Sequence, residues 1–245
     1  MLPHEILARR KKCPIAFIGL GTIEWHSEHL AVGLDALKAD QLCDMAAQQS
    51  GGFAFPPLWY GEPRVTRIME DDDHDIDGKV KARMGFKKKK FKGDYFAKTG
   101  EQQIAFYKQL LRHMLIQMDT LEMKAVCFQC GHGPMAEWAG EVVEQFNKEN
   151  KHIQAFAGDC IHYVKKSDPV GKDHAAKWET SYMWYLRPDC IDMSVYLGKD
   201  DEKLVGIIGT DPRGIASRAI GKKACDLVVT GMVKKAQQLL KRATR

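Results

Sequence analysis

Pro14-Ile15-Ala16-Phe17-Ile18, continued after Gly19-Leu20 by Gly21-Thr22-Ile23-Glu24-Trp25-His26-Ser27-Glu28-His29-Leu30-Ala31-Val32-Gly33-Leu34-Asp35, decides how this chain is read. A short apolar run bounded by glycines reads as a buried strand. The carboxylates and imidazoles after it therefore emerge at a strand end, where an open α/β sheet places its ligand crevice. If Glu24, His26 and Asp35 converge, their oxygens and nitrogen suit a divalent metal. The stretch reads as one wall of a metal-dependent hydrolase.

Outward from it, strand-like and helix-like segments alternate. Residues 35–50 carry Leu37, Leu42, Met45 and Ala46 at helical spacing and close at Gly51-Gly52. Phe53-Ala54-Phe55 reads as a short strand that gives way to a loop at Pro56-Pro57. Residues 101–121 form the longest amphipathic stretch, with Thr99 as N-cap. A strand over 124–128, a helix over 136–147, a strand over 153–157 and a helix over 216–242 follow. Repeated β-then-α order predicts an α/β fold with a mostly parallel sheet covered by helices on both faces.

The chain of 245 residues is expected to be a single hydrolase domain over 1–245, with a charged loop insertion at about 62–98. Hydrophobic content of 44% with 28% charged residues is that of a globular protein. No run approaches the roughly 18 apolar residues of a membrane span. Residues 1–10 place an acid before their basic cluster, unlike a secretory signal, so a cytoplasmic location is expected. Seven scattered cysteines, an odd count, argue for reduced thiols. Cys127 and Cys130 form a C-x-x-C inside an apolar run, and buried structural cysteines are the better reading than a redox pair or half a zinc site.

The insertion is acidic first (Glu70-Asp71-Asp72-Asp73-His74-Asp75-Ile76-Asp77) and basic second (Lys79, Lys81, Arg83, then Lys87-Lys88-Lys89-Lys90 and Lys92). It lacks the ligand order of an EF-hand. Adjacent blocks of opposite charge neutralise each other, so a solvated hairpin or lid is expected, and no nucleic-acid partner. The net charge of +5 is mild and arises largely from this cluster.

Two further clusters carry chemistry. Gly131-His132-Gly133 sets a histidine at the end of the Cys127 strand. Taken alone, it could merely cap a turn. Asp173-His174-Ala175-Ala176-Lys177-Trp178-Glu179-Thr180-Ser181 opens a helix that runs through Tyr185. Gly209-Thr210-Asp211-Pro212-Arg213-Gly214 reads as a loop that shapes a wall.

Together these motifs resemble the creatininase (creatinine amidohydrolase) family. Its opening glycine-(Ser/Thr)-x-Glu-x-His and following aspartate match Gly21-Thr22-Ile23-Glu24-Trp25-His26 and Gly33-Leu34-Asp35. Its Asn-Gly-His-Gly appears as Cys130-Gly131-His132-Gly133, and its His-Ala-Gly-x-x-Glu-Thr-Ser as the run from His174 to Ser181. Tyr60-Gly61, Phe91-Lys92-Gly93-Asp94 and Asp211-Pro212-Arg213-Gly214-Ile215-Ala216 resemble further family elements in the same order.

The resemblance implies a three-layer α/β/α sandwich and two divalent metal ions per chain, zinc first, with manganese or iron as alternatives. Glu24, Asp35 and His132 would hold one ion. His26, Asp35 and a further carboxylate would hold the other. The family's last carboxylate falls here at Pro134, which cannot coordinate, and Glu179 is the expected replacement. A carboxylate bridging two ions holds them roughly 3.5–4 Å apart and generates a nucleophilic hydroxide near neutral pH. His174 is the expected proton donor to the leaving nitrogen, and Asp173 a group that could orient it. Glu28 and His29 are expected to support the ligands. Trp25, Tyr60 and Trp178 are the expected pocket walls, and His74 the stand-in for a loop histidine of the family. The implied reaction is hydrolysis of a C–N amide bond in a small molecule: creatinine-like, formamide or related. The implied assembly is a homo-oligomer, with a hexamer as the family's example. The alternative is an impaired member that serves as a metal-containing binding or assembly protein.

Overall fold

The computed structural model describes residues 1–92 and 99–243. Its order is α1 (Pro3–Lys12), β1 (Ile15–Leu20), α2 (Leu34–Ser50), β2 (Phe53–Leu58), α3 (Lys79–Arg83), α4 (Gly100–Thr120), β3 (Ala125–Cys130), α5 (Gly133–Glu149), β4 (Gln154–Gly158), α6 (Lys177–Leu186) and α7 (Arg218–Ala243). The four strands form one parallel sheet in the order β2-β1-β3-β4.

Side-chain alternation along these strands builds two cores. Ala16, Ile18, Leu20, Val126, Phe128 and Cys130 face α4 and α5, where they meet Tyr107, Leu111, Leu115, Trp138 and Phe146. Ile15, Phe17, Ala125 and Cys127 face the other way, onto Leu42 and Ala46 of α2 and Val228 and Met232 of α7. Both faces of β1 and β3 are buried, which is why these strands read as unbroken apolar runs. The result is the expected three-layer α/β/α arrangement. Cys127 and Cys130 point to opposite cores, so they form no pair, and all seven cysteines are free thiols.

Element ends follow the expected local chemistry. Gly51 closes α2 in the left-handed conformation (φ 80°), where an L side chain would be strained. Thr99 caps α4: its hydroxyl accepts from Gln102 N at 3.3 Å, while Gln102 Oε1 accepts from Thr99 N. The strand β2 runs on through Pro56 and Pro57, because it lies at the sheet edge where missing donors cost little.

The insertion departs from expectation. It is not a solvated hairpin: residues 62–92 contain no strand, and Ile68, Met69, Glu70, Asp71, Asp75, Val80, Lys81 and Phe91 are buried. Asp75 accepts from the backbone of Val80 and Lys81, and the Lys81 ammonium binds Asp72 at 2.9 Å. The opposite charges neutralise one another inside a folded wall, with Met69 and Val80 packed on Trp25. The motif match at Gly93-Asp94 lies outside the described residues.

Candidate metal centre

The crevice lies at the carboxyl ends of β1 and β3. Glu24 and His26 sit on the loop after β1, and Asp35 opens α2. His132 is the N-cap residue of α5 directly after β3. Gly131 makes this convergence possible. A Cβ at that position would lie 2.1 Å from the Asp35 carbonyl oxygen, so only glycine lets α2 approach the end of β3. His174 and Glu179 arrive from the other side, at the start of α6.

All six sequence-derived chemical residues meet. Glu24, Asp35 and His132 place one donor atom each within 4.8 Å of one another, and so do His26, Asp35 and Glu179. A third grouping joins Glu24, His26 and His174. His132 Nδ1 lies 2.8 Å from Glu24 Oε2 and 3.5 Å from Asp35 Oδ2. Its Nε2–H donates to the Arg67 carbonyl at 2.8 Å, so Nδ1 is the atom that faces the two carboxylates, carrying a proton between them that a metal ion would have to displace. His26 is locked likewise. Its Nδ1–H donates to the Glu24 carbonyl at 3.1 Å, and Nε2 faces Asp35 Oδ1 at 3.4 Å and Glu179 Oε2 at 3.6 Å.

Apart from these imidazole–carboxylate contacts, Glu24 Oε2, His26 Nε2 and Asp35 Oδ2 are buried and have no hydrogen-bond partner. Such orphaned atoms are costly unless a cation satisfies them. The donor set of carboxylate oxygen and imidazole nitrogen fits zinc, manganese or iron.

The electrostatics follow from burial and close charges. Burial pushes the Glu24 carboxyl up, but the His132 and His174 imidazoles outweigh that and hold it at about 2. Burial depresses His26, yet the Asp35 charge and hydrogen bond bring it to about 9. His174 is lowered, by burial first and by the His26 charge second. Its ring stacks on His26 with centroids 4.4 Å apart. His174 Nε2–H donates to the Trp25 carbonyl at 2.7 Å, so Nδ1 is the atom turned toward Glu24, at 3.9 Å.

Other expectations resolve differently. Asp173 does not orient His174: its carboxylate accepts from Trp178 N and Glu179 N and thereby caps α6. His29 bridges Tyr196 and Thr180 from within the fold, and Glu28 pairs with Arg83 of the insertion. A cavity of about 460 Å³ opens over the centre, lined in part by Arg67, Met69, His74, Pro134, Lys172 and Ile208. His74 is thus at the pocket. Trp25, Tyr60 and Trp178 are not among its lining residues. Trp25 is buried against Met69 and Val80, Tyr60 is 75% exposed, and Trp178 packs on Gly171.

Three residues at the centre carry no motif. Lys38, one turn after Asp35 on α2, is buried with its ammonium 2.5 Å from Glu179 Oε1 and 3.9 Å from Asp35 Oδ1. Glu62 lies 3.3 Å from His132 Nε2, and Glu70 accepts from Trp25 N at 3.1 Å. Burial pushes both glutamates up to about 7. The i,i+3 spacing of Asp35 and Lys38 was the available signal for the lysine.

Comparison with known proteins supplies the last observation. A family model described as creatininase, creatinine amidohydrolase, matches residues 1–68 and 83–236. No curated protein matches the sequence. A solved tryptophan-to-phenylalanine mutant of creatininase superposes with TM-score 0.70 at 17% identity, covering 97% of this chain and 96% of that one. A structure named creatininase Mn gives TM-score 0.68 at 17% identity over 97% and 96%. A glutamate-to-glutamine mutant of creatininase complexed with creatine gives 0.69 at 16% identity over 98% and 96%. At these identities the structures speak for the fold.

Proposed function

The chain belongs to the creatininase family, and from that premise we propose that it is a metal-dependent amidohydrolase that cleaves a C–N bond in a small amide. The observation that carries this reading is the convergence of orphaned donors, Glu24 Oε2 and Asp35 Oδ2, on the Nδ1 face of His132. These three residues would hold a divalent ion, with zinc, manganese or iron compatible with the donors. A bound ion supplies Lewis-acid polarisation of the amide carbonyl and makes a water a stronger acid.

The residues around it handle protons and orientation. His174 is kept neutral by burial and by His26, so its Nδ1 is a proton acceptor, while the Trp25 carbonyl fixes Nε2–H. The proton leaves the attacking water for Nδ1 as the carbon–oxygen bond forms. The same proton passes to the amide nitrogen as the carbon–nitrogen bond breaks, so the histidine ends as it began. Met69 N donates to Glu24 Oε1 at 2.6 Å and aims the other oxygen at the centre. The cavity of about 460 Å³ fits a small-molecule amide such as a creatinine-like ring or a formamide.

The test is chelation followed by reconstitution on a panel of small amides. Activity should vanish with the metal and return with zinc or manganese. His174→Ala should lower kcat about 100-fold or more with metal retained. Loss of the metal as well would make His174 a ligand, unchanged turnover would remove it from the proton transfer, and a metal-loaded wild type that turned over no amide would favour a binding role for the chain.

A further inference from the structure

The two donor groups that share Asp35 are furnished differently. In the first, Glu24 Oε2 and Asp35 Oδ2 are buried and face only an imidazole: His132 Nδ1, at 2.8 and 3.5 Å, whose proton an ion can displace. In the second, both Glu179 oxygens already hold a donor, one of them a cation. Its Oε1 receives the Lys38 ammonium at 2.5 Å, and its Oε2 accepts from Ala175 N at 2.8 Å. Asp35 Oδ1, the atom that faces His26, also lies 3.9 Å from the same ammonium. The position two residues beyond His132, which would complete the second group, is Pro134 and offers no donor.

We propose that the Lys38 ammonium serves in place of a second divalent ion, so that the centre binds a single ion at Glu24, Asp35 and His132. This rests on the metal-dependent reading above and deepens it. Charge agrees with geometry. Within the two donor groups, Glu24, Asp35 and Glu179 bring three negative charges, and Lys38 with one divalent ion brings three positive ones. A second divalent ion would leave an excess of positive charge beside a buried ammonium, which low-dielectric surroundings penalise. Lys38 is held for this role by its place on α2, one turn from Asp35, so the bridging carboxylate and its substitute cation move as one body. Glu179 becomes a positioning residue for Lys38 and His26 in place of a ligand.

The experiment counts ions. Apo-protein is loaded with Mn²⁺ and desalted, and metal per chain is measured by plasma mass spectrometry beside an electron paramagnetic resonance spectrum. The wild type should hold one ion per chain with an isolated-ion spectrum. Lys38→Met should hold two, with a spin-coupled spectrum, because it frees both Glu179 Oε1 and Asp35 Oδ1. Lys38→Arg should stay at one. Two coupled ions in the wild type, or a folded Lys38→Met that still takes one, would overturn the proposal while leaving the metal-dependent reading intact. If Lys38→Met does not fold, the wild-type count and spectrum decide alone. A wild-type count of zero would remove the metal-dependent reading itself and this proposal with it.

Discussion

At the scale of single residues, the centre shows which signals a sequence transmits. Glu24, His26 and His132 were legible because they follow apolar strands and fall, in order, into motifs that resemble one family; alone, His132 could have capped a turn. Lys38 was not, because a lysine on an amphipathic helix ordinarily faces water; only the fold shows that this one faces Glu179. Glu70 escaped for a similar reason, lying in an acidic block that looked solvated. Its carboxyl is pushed up to about 7 by burial, against the lowering pull of Arg64, and Oε2 has no partner. Since the folded-state value exceeds the ordinary 4.5, the folded chain binds the proton more tightly, and stability falls as pH rises from about 4.5 to 7. Glu70→Gln keeps an acceptor for Trp25 N and removes the charge. It should match the wild type near about pH 4 and exceed it above about pH 7, by at most about 3 kcal/mol. Urea denaturation at both ends of that window checks this; parallel pH profiles for the two proteins would refute it. Gly131→Ala tests the close approach of α2. The added methyl must push Asp35 away, so metal affinity should drop by at least tenfold, with about 1–3 kcal/mol of stability lost to overpacking. A titration with unchanged affinity would mean that Asp35 is not held by this contact.

At the scale of elements, the strands and long helices were legible from periodicity, and their ends erred only by a few residues. The start of α5 shows why. The helix expected over 136–147 begins at Gly133, because proline is at home in the first turn of a helix, where its missing N–H has no partner to lose. The insertion was misread for a deeper reason. Block charge patterns assume solvated side chains, whereas here Asp75 caps α3 and Lys81 lies buried among Asp72, Asp75 and the Asp71 carbonyl. The family match stops at residue 68 and resumes at 83, so this chain's own segment supplies Met69 and His74 to the pocket wall. On the amidohydrolase reading proposed above, substrate selection is expected in the segment and bond cleavage in the shared scaffold. His74 is fixed by Asp71, which accepts from its ring at 2.9 Å. His74→Ala should therefore raise KM, by roughly tenfold for one lost polar contact, with kcat little changed. Steady-state kinetics on whichever amide is turned over would show it, and a fall in kcat at constant KM would count against this division of labour.

At the scale of the whole molecule, the centre is a point where otherwise separate parts of the fold are tied together. Glu24 and His26 follow β1, Asp35 belongs to α2, His132 heads α5, and His174 and Glu179 bring in α6. In the metal-free chain, imidazoles stand in as cations: His26 is held up at about 9 and His132 well above its usual range by the carboxylates around them, against burial. An ion at Glu24, Asp35 and His132 must displace the proton from His132, so its binding should release protons and strengthen as pH rises. It should also stabilise the entire fold, because an unfolded chain cannot assemble donors spread over more than a hundred residues. At a free ion concentration of 100 times Kd the gain is about 2.7 kcal/mol, and at about 2–4 °C per kcal/mol for a chain of this size the Tm should rise by about 5–11 °C. The rise should shrink as pH falls toward about 5, where His132 holds its proton against the ion, and it should be lost in His132→Ala at every pH. Calorimetry with and without Zn²⁺ across that range separates this from non-specific ion effects: a Tm increment that ignored both pH and His132 would place the ion somewhere else on the surface.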